Sequence, residues 1–172
     1  MVPLEVIELQ KPGLRHKDAF LRAVRKSRSL HKGFVSPPAN AENYQQYVDS
    51  LRQKNRLGFL ITEAESGELV GVVNVSEIVR GLFQSAYLGY YAFKPYAGQG
   101  LMWQGMQQVI EHCFRDLRLH RLEANIQPEN ERSIALVKAL GFSKEGYSPK
   151  YLKIGGEWRD HERWAIRAEQ LR

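Results

Sequence analysis

Residues 87–102 read YLGYYAFKPYAGQGLM, and this stretch decides the fold. Its first half is rich in tyrosine and ends at Lys94-Pro95, which is typical of a strand that stops before a proline. Gly98 and Gly100 then precede a segment whose apolar residues recur every three or four positions, the period of an α-helix. Such a turn brings main-chain amides to the positive end of a helix dipole, where a phosphate binds well. A glycine-rich turn is equally common without a ligand, so this stretch alone leaves both interpretations open.

The rest of the chain alternates strand and helix patterns around this stretch. We predict one basic helix over 14–32, a second over about 41–54, the long helix from Met102 to Leu117, and a short helix from an Asn130 N-cap to Leu140 with Gly141 behind it. The runs 57–62, 69–78, 84–93, 121–126, 142–153 and 157–166 are predicted strands, the last two flanking a turn at Gly155-Gly156. This order predicts a single mixed α/β domain over residues 1–172, and not a doubly wound sheet.

Composition limits the functions that are open to the chain. It has 172 residues, a net charge of +6, 43% apolar and 26% charged residues, which excludes disordered and collagen-like proteins. Its one cysteine, Cys113, lies on the apolar side of the long helix and is expected to be a buried thiol in a reducing, cytoplasmic setting. No apolar run approaches 18 residues, and the five histidines lack metal-ligand spacing, so we expect neither a membrane span nor a metal. The positive charge suits nucleic acid, an anionic membrane or a small polyanion.

Several motifs in order make the chain resemble the GCN5-related N-acetyltransferases, and within them the ribosomal-protein-alanine N-acetyltransferases. The resemblance covers about residues 55–166 and implies a mostly antiparallel mixed sheet with a splayed-strand acetyl-CoA cleft flanked by helices. It also implies direct transfer of the acetyl group to an amine in a ternary complex. The motifs are Tyr87-Leu88-Gly89-Tyr90, Tyr96 to Met102, Asn130-Glu131-Arg132-Ser133, Ala139-Leu140-Gly141-Phe142, Val79-Arg80-Gly81, Lys144-Glu145-Gly146-Tyr147 and Trp158-Arg159-Asp160-His161.

The resemblance implies a set of residues that hold acetyl-CoA. The family's pyrophosphate loop falls on 97–102, although Ala97 and Met102 depart from its strict form; main-chain amides do the binding, so the role stays open to the residues present. The preceding strand end would pair with the pantetheine amides, and Asn130 would contact pantetheine. Because coenzyme A carries several phosphate charges, Arg132 or Lys138 beside the loop is also a candidate phosphate contact. The predicted contacts are Tyr91, Ala92, Phe93, Gly98, Gln99, Gly100, Leu101, Met102, Asn130 and Arg132.

Two residues are candidates for the acid–base chemistry that the resemblance implies. Glu123 matches a carboxylate base that acts through water in some relatives, but it could equally be a solvated cross-strand residue. Ser133 matches a serine near the coenzyme sulfur, or it merely assists the helix cap. The tyrosine that other branches use as acid falls on Val137, and another relative's carboxylate falls on Lys150. A water chain alone remains an alternative to any base.

The acceptor is predicted from the ionisation of amines. A protein α-amino group has a pKa of about 7.7–8.0 and lysine about 10.4, so near neutral pH the terminal amine is neutral about a few hundred times more often. A site without a committed strong base therefore favours a protein N-terminus, alanine or serine in the resemblance. Two alternatives stay open: a small amine such as a polyamine or an antibiotic, and a non-enzymatic factor that binds the ribosome or RNA. The basic segment 22–32 is either a solvated helix face or a contact with the ribosome or RNA. For the oligomeric state, the sequence leaves both a monomer and a homodimer open.

Overall fold

The computed structural model describes residues 6–171. A seven-stranded sheet has the order β1-β2-β3-β4-β5-β7-β6, and every neighbouring pair is antiparallel except β4–β5, which is parallel. This confirms the predicted mixed, mostly antiparallel α/β architecture. The strands are β1 Ile7–Gln10, β2 Leu57–Glu63, β3 Leu69–Val79, β4 Ser85–Ala92, β5 Arg121–Ile126, β6 Ser143–Ile154 and β7 Glu157–Arg167; the α-helices are α1 Lys17–Lys26, α2 Arg28–His31, α3 Ala41–Ser50, α4 Leu101–Arg115 and α5 Glu131–Ala139.

The two faces of the sheet carry separate apolar cores. On one face α4 places Met106, Val109 and Ile110 against inward side chains of β2 to β5. On the other face α1 and α3 contribute Phe20 and Tyr44, whose ring centroids lie 4.8 Å apart. Cys113 is fully buried on the α4 side, as predicted, and burial raises the pKa of its thiol to about 12. The central strands therefore have no solvated face over most of their length.

The first fifth of the chain differs from the sequence prediction in two ways. Residues 7–10 form an edge strand that was not predicted, because four residues are too short for a period-two pattern to stand out. The single helix predicted over 14–32 is wrong: a 3₁₀ turn, Leu14–His16, precedes α1, and the chain breaks at Ser27 before the short α2. Ser27 is fully buried, and its hydroxyl accepts a hydrogen bond of 3.0 Å from the Lys94 amide. The break at Ser27 is thus associated with a contact to a residue distant in the chain, and the local sequence pattern does not predict it.

One glycine sets how closely α4 approaches the sheet. Gly105 is buried in the second turn of α4, opposite the fully buried Ile61 of β2. A Cβ at Gly105 would overlap Ile61 Cδ1 and lie 2.6 Å from Ile61 Cγ1. The absent side chain therefore determines the helix-to-sheet distance, and with it the height of the N-terminus of α4 above the sheet.

We expect Gly105→Ala to destabilise the protein although alanine favours a helix by about 1 kcal/mol over glycine. Overpacking of a rigid core costs about 1–3 kcal/mol, and Ile61 has no exposed space into which it can move. Urea denaturation should show a net loss of stability, and adding Ile61→Val should recover part of it because the overlapping methyl is removed. A Gly105→Ala protein as stable as the wild type would contradict this account of the helix position.

Candidate active site

The candidate site begins where β4 and β5 separate. They pair only from Ser85 to Tyr87 on β4 and from Arg121 to Glu123 on β5, and beyond these three residue pairs they diverge. A cavity of about 870 Å³ opens in the gap, between the far half of β4, the start of α4, the start of α5 and α2. The open side of β4 thus faces a cavity instead of a neighbouring strand.

The strand pattern decides which main-chain groups face the gap. The Phe93 amide donates to the Val70 carbonyl on β3 at 2.8 Å. Because the main-chain groups of successive residues alternate in direction, Tyr91 also faces β3, whereas Tyr90 and Ala92 face the gap. Of the three residues predicted to pair with pantetheine, only Ala92 therefore presents its main chain to the cavity. The side chains of Tyr91 and Phe93 are buried in the aromatic core beneath α1 and α3.

The predicted glycine turn leads directly into the N-terminus of α4. Gly98 and Gly100 both adopt a φ of +79°, the left-handed region, and Gly100 is the N-cap of the fifteen-residue α4. The amides of Leu101 and Met102 begin the helix, where no intrahelical acceptor is available to them. The Met102 side chain packs on Gly71 in the core, and the Gln99 side chain turns back to the Pro95 carbonyl at 2.9 Å. Both side chains are therefore directed elsewhere, which leaves amides as the groups that this turn can offer.

The start of α5 forms the opposite wall. The Asn130 side chain accepts a hydrogen bond from the Ser133 amide at 3.3 Å, which confirms the predicted N-cap. The Ser133 hydroxyl lies 2.6 Å from the Tyr90 hydroxyl of β4, so a hydrogen bond spans the gap. Arg132 is exposed at the rim of the cavity. Val137, one turn beyond Ser133, is fully buried and apolar, so α5 offers no acid there.

Glu123 lies on the other face of the sheet. Leu122 and Ala124 point into the α4 core, so Glu123 between them points away from it. Its Oε1 accepts a hydrogen bond from Arg121 Nε at 2.9 Å, and Arg121 also pairs with the Glu145 carboxylate. The structure therefore does not bring Glu123 and Ser133 into contact, but places them on opposite faces at the point of divergence.

Tyr87 lies beside Glu123 on the neighbouring strand. Tyr87 is its register partner on β4, and burial raises the pKa of the Tyr87 hydroxyl, with smaller contributions from the charge of Glu123 and from the Tyr151 hydroxyl. Neither Tyr87 nor Tyr90 was predicted as a site residue. The alternation of side chains along a strand was the signal that could have identified them. It assigns Tyr87 and Tyr90 to opposite faces of the sheet, on either side of the point where β4 and β5 separate. Lys150, in contrast, has a φ of +47° and directs its amide to Asp160.

A strap made of α2 and the next two residues, 28–33, crosses the gap. His31 Nε2 donates to the Ala92 carbonyl at 2.6 Å, and the buried Gln127 beyond β5 donates from Nε2 to the Gly33 carbonyl at 2.8 Å. Lys94 Nζ also donates to the Ser29 hydroxyl at 2.7 Å. The strap thus joins both diverging strands and closes one side of the cavity. Sequence reasoning missed it because a histidine and a serine in a basic helix carry no signal for distant carbonyls.

Further predictions concern the basic segment 22–32, metal binding and membrane spans. Within 22–32 all five basic side chains, Arg22, Arg25, Lys26, Arg28 and Lys32, are exposed, and none joins an ion pair with another described residue. Among residues 6–171 no group of three or more His, Cys, Asp or Glu side chains is placed to hold a metal. No helix in this part of the chain is long and apolar enough to cross a membrane.

Comparison with known proteins places the chain among acetyltransferases. A family model described as "Acetyltransferase (GNAT) domain" matches residues 7–143. The chain is similar to [ribosomal protein uS5]-alanine N-acetyltransferase of Escherichia coli, 41% identical over 110 residues that span 64% of this chain and 57% of that protein. Spermidine N(1)-acetyltransferase of the same organism is 30% identical over 100 residues, 58% of this chain and 53% of that one. Each match thus spans less than two thirds of the relative.

A solved structure extends the likeness to nearly the whole chain. RimJ of Mycobacterium smegmatis in complex with CoA-disulfide superposes with a TM-score of 0.88 at 28% identity, covering 96% of this chain and 83% of that one. The likeness therefore extends well into the first 50 residues, which carry few of the sequence motifs.

The buried His31 predicts a pH dependence of stability. Its Nε2 proton is held by Ala92, and its Nδ1 is buried with no hydrogen-bond partner among the described residues, so burial lowers its pKa below 6.5. The unfolded chain then binds a proton more readily than the folded one, and the stability that this group contributes is present above about pH 6.5 and declines as the pH falls.

We expect His31→Gln, which keeps a donor for Ala92 but does not titrate in this range, to reduce the loss of unfolding free energy between about pH 7 and 5. Urea denaturation at a series of pH values measures it. His16→Gln is the comparison variant, because His16 is less buried and should account for less of the slope. An unchanged slope in His31→Gln would contradict the assignment.

Proposed function

The chain belongs to the GNAT acetyltransferase family, and from this premise we propose that it transfers the acetyl group of acetyl-CoA to a protein N-terminal α-amino group, an alanine or serine of a ribosomal protein. The family membership confirms the resemblance seen in the sequence and favours the enzyme over a non-enzymatic RNA-binding factor. The observation that carries the proposal is the gap between β4 and β5, because the cavity there is lined by the unpaired half of β4, the start of α4 and the start of α5 with Ser133.

The cavity suits acetyl-CoA in shape and in chemistry. The open edge of β4 offers the main chain of Tyr90 and the Ala92 amide to the amides of pantetheine, since the Ala92 carbonyl already accepts from His31. The amides at the start of α4 and the helix dipole suit the pyrophosphate, and Arg132 at the rim suits a phosphate. The cavity of about 870 Å³ falls in the range of small-molecule sites, which is about 300–1,000 Å³.

The two faces of the gap suit the two halves of the reaction. When bound, acetyl-CoA supplies an activated acyl group; the chain's own residues position the amine and stabilise the leaving sulfur. Glu123, with Tyr87 beside it, lies on the face of the sheet away from α4, and we assign the approach of the amine to that face. Ser133 lies on the α5 side, where the sulfur would leave. We propose Glu123 as the group that accepts the proton of the amine, through water, and Ser133 as the hydrogen-bond donor to the thiolate.

Three observations support a ribosomal acceptor. The uS5-alanine N-acetyltransferase relative is named for such an acceptor, and an α-amine is neutral near pH 7 far more often than a lysine. The five exposed Lys and Arg side chains of 22–32 lie on α1 and in the strap, and they suit a partner that carries negative charge, such as ribosomal RNA. A polyamine acceptor is the second candidate, favoured by the spermidine acetyltransferase relative.

The proposal is tested by thiol release from acetyl-CoA with four acceptors: peptides that begin with alanine or serine, an N-blocked lysine peptide, and spermidine. We expect the highest kcat/KM with the alanine and serine peptides, because a larger fraction of their amines is neutral at the working pH than of lysine or spermidine amines. Spermidine as the best acceptor would replace the first candidate with the second, and no thiol release with any acceptor would reject both.

We expect Glu123→Gln to lower kcat/KM by about 100-fold near neutral pH, as loss of a general base does. The deficit should shrink as the pH approaches the pKa of the acceptor amine, since a neutral amine needs no base; a pH–rate profile with the alanine peptide measures this.

Glu145→Gln is the matched control for Glu123→Gln. It removes the other carboxylate that Arg121 contacts, so it disturbs the same guanidinium while keeping Glu123. Equal, pH-independent losses in both variants would show that the Arg121 ion pairs matter only for structure.

A further inference from the structure

The hydrogen bond between Tyr90 and Ser133 points to a residue that the family motifs do not assign. We propose that Tyr90 is a positioning residue: it donates its hydroxyl hydrogen to Ser133 Oγ and thereby directs the Ser133 hydrogen to the sulfur of the leaving coenzyme. This inference rests on the proposed function, in which Ser133 serves the thiolate.

The fold brings the two hydroxyls together from different elements. Tyr90 is three residues beyond Tyr87, the last residue of β4 that pairs with β5, and its side chain is on the same face as Ala86 and Leu88. Ser133 is in the first turn of α5, held by the Asn130 cap. The 2.6 Å bond between the hydroxyls therefore links the two walls of the cavity, which both side chains line.

The number of hydroxyl hydrogens determines which of the two residues can donate in this bond and which can still donate to a ligand. Each hydroxyl has one hydrogen, and the bond uses one of the two, so either Tyr90 or Ser133 can be the donor. If Ser133 donates to Tyr90, no serine hydrogen is left for a ligand. Burial raises the pKa of Tyr90, so the phenol keeps its proton and remains available as a donor. A thiolate beside Ser133 accepts only, and it therefore selects the arrangement in which Tyr90 donates to Ser133 and Ser133 donates to sulfur.

The bond also excludes other orientations of the serine. A serine in a helix otherwise turns to a main-chain carbonyl three or four residues earlier, here Asn130 or Glu129. With Val137 in place of a tyrosine one turn later, α5 itself offers no second hydroxyl to orient or replace Ser133. Tyr90 supplies that hydroxyl from the strand instead.

The reaction balances without a net change in either hydroxyl. The nitrogen–carbon bond forms, the carbon–sulfur bond breaks, and its electron pair goes to sulfur. A protonated amine first loses one proton through Glu123 and water to solvent. The second proton, which the nitrogen loses on forming the amide, passes through water to the thiolate. Ser133 stabilises the developing charge by its hydrogen bond, and Tyr90 keeps that donor directed at sulfur.

The direct test is a double-mutant cycle with the best acceptor. We expect Tyr90→Phe to lower kcat about 10-fold, the size expected for loss of one hydrogen bond to a developing charge, with the Kd for acetyl-CoA within about twofold of the wild type. Ser133→Ala should have a similar or larger effect, and the double variant should be no slower than Ser133→Ala, because Tyr90 acts only through Ser133.

Tyr44→Phe is the matched control. Tyr44 is fully buried whereas Tyr90 is half-buried; Tyr44 likewise makes one 2.6 Å hydrogen bond, to the Gly13 carbonyl, but it does not line the cavity. The Tyr44→Phe variant should lose stability to about the same extent as Tyr90→Phe, while its kcat stays at the wild-type value. Wild-type kcat in Tyr90→Phe, or a double variant slowed by the product of the two single effects, would overturn the proposal.

A second readout needs no acceptor, so it separates this inference from the proposed function. The thiol of bound coenzyme A is titrated by its ultraviolet thiolate absorbance in wild type and variants. We expect its acid ionisation constant to fall about tenfold in Tyr90→Phe and in Ser133→Ala, and to stay unchanged in Tyr44→Phe. An unchanged constant in Tyr90→Phe overturns the inference even if the acceptor assays succeed, and the expected shift supports it even if the acceptor is not the one proposed.

Discussion

The separation of β4 from β5 after three residue pairs is the constraint on which the rest of this structure depends. Strands in the middle of a sheet normally satisfy their main-chain groups on both sides, and here the far half of β4 has no partner strand on one side. The protein covers this edge in two ways. The strap supplies His31 to the Ala92 carbonyl, and α5 supplies a wall without adding a strand. What remains open is a strip of main chain beside a cavity, which suits an amide-containing ligand.

The same separation divides the chemistry between the two faces of the sheet. Because side chains alternate along a strand, adjacent positions at the point of divergence project to opposite sides. Glu123 and Tyr87 thus face away from α4, whereas Tyr90 faces α5 and meets Ser133. A proton acceptor and a hydroxyl donor can therefore serve one ligand from two sides without contacting each other. Residues close in sequence, such as Tyr87 and Tyr90, belong to different halves of the proposed reaction.

Much of the fold was predictable from local patterns. The strand, glycine turn and helix over 87–117 and the Asn130 cap depend on residues a few positions apart, and these agree with the structure. The break at Ser27 and the strap were not predictable, because each depends on a hydrogen bond to a residue more than 60 positions away. The cofactor residues divide in the same way. The family resemblance indicated the region 91–93, but only the pairing with β3 shows that Ala92 and Tyr90 face the gap.

The amino-acid sequence by itself determined the family, the order of the elements and the types of group available to the site, since motifs and periodicities are local properties. Tertiary structure alone decided which of these groups meet. From the sequence, Ser133 could be either a cap residue or a functional hydroxyl. The structure adds its 2.6 Å hydrogen bond to Tyr90, a strand residue 43 positions earlier in the chain. The contact of Glu123 with Arg121, and the face of the sheet on which Glu123 lies, were likewise decided by the tertiary structure. The physical reason is that hydrogen-bond partners are set by distance and direction in space, which chain separation does not encode.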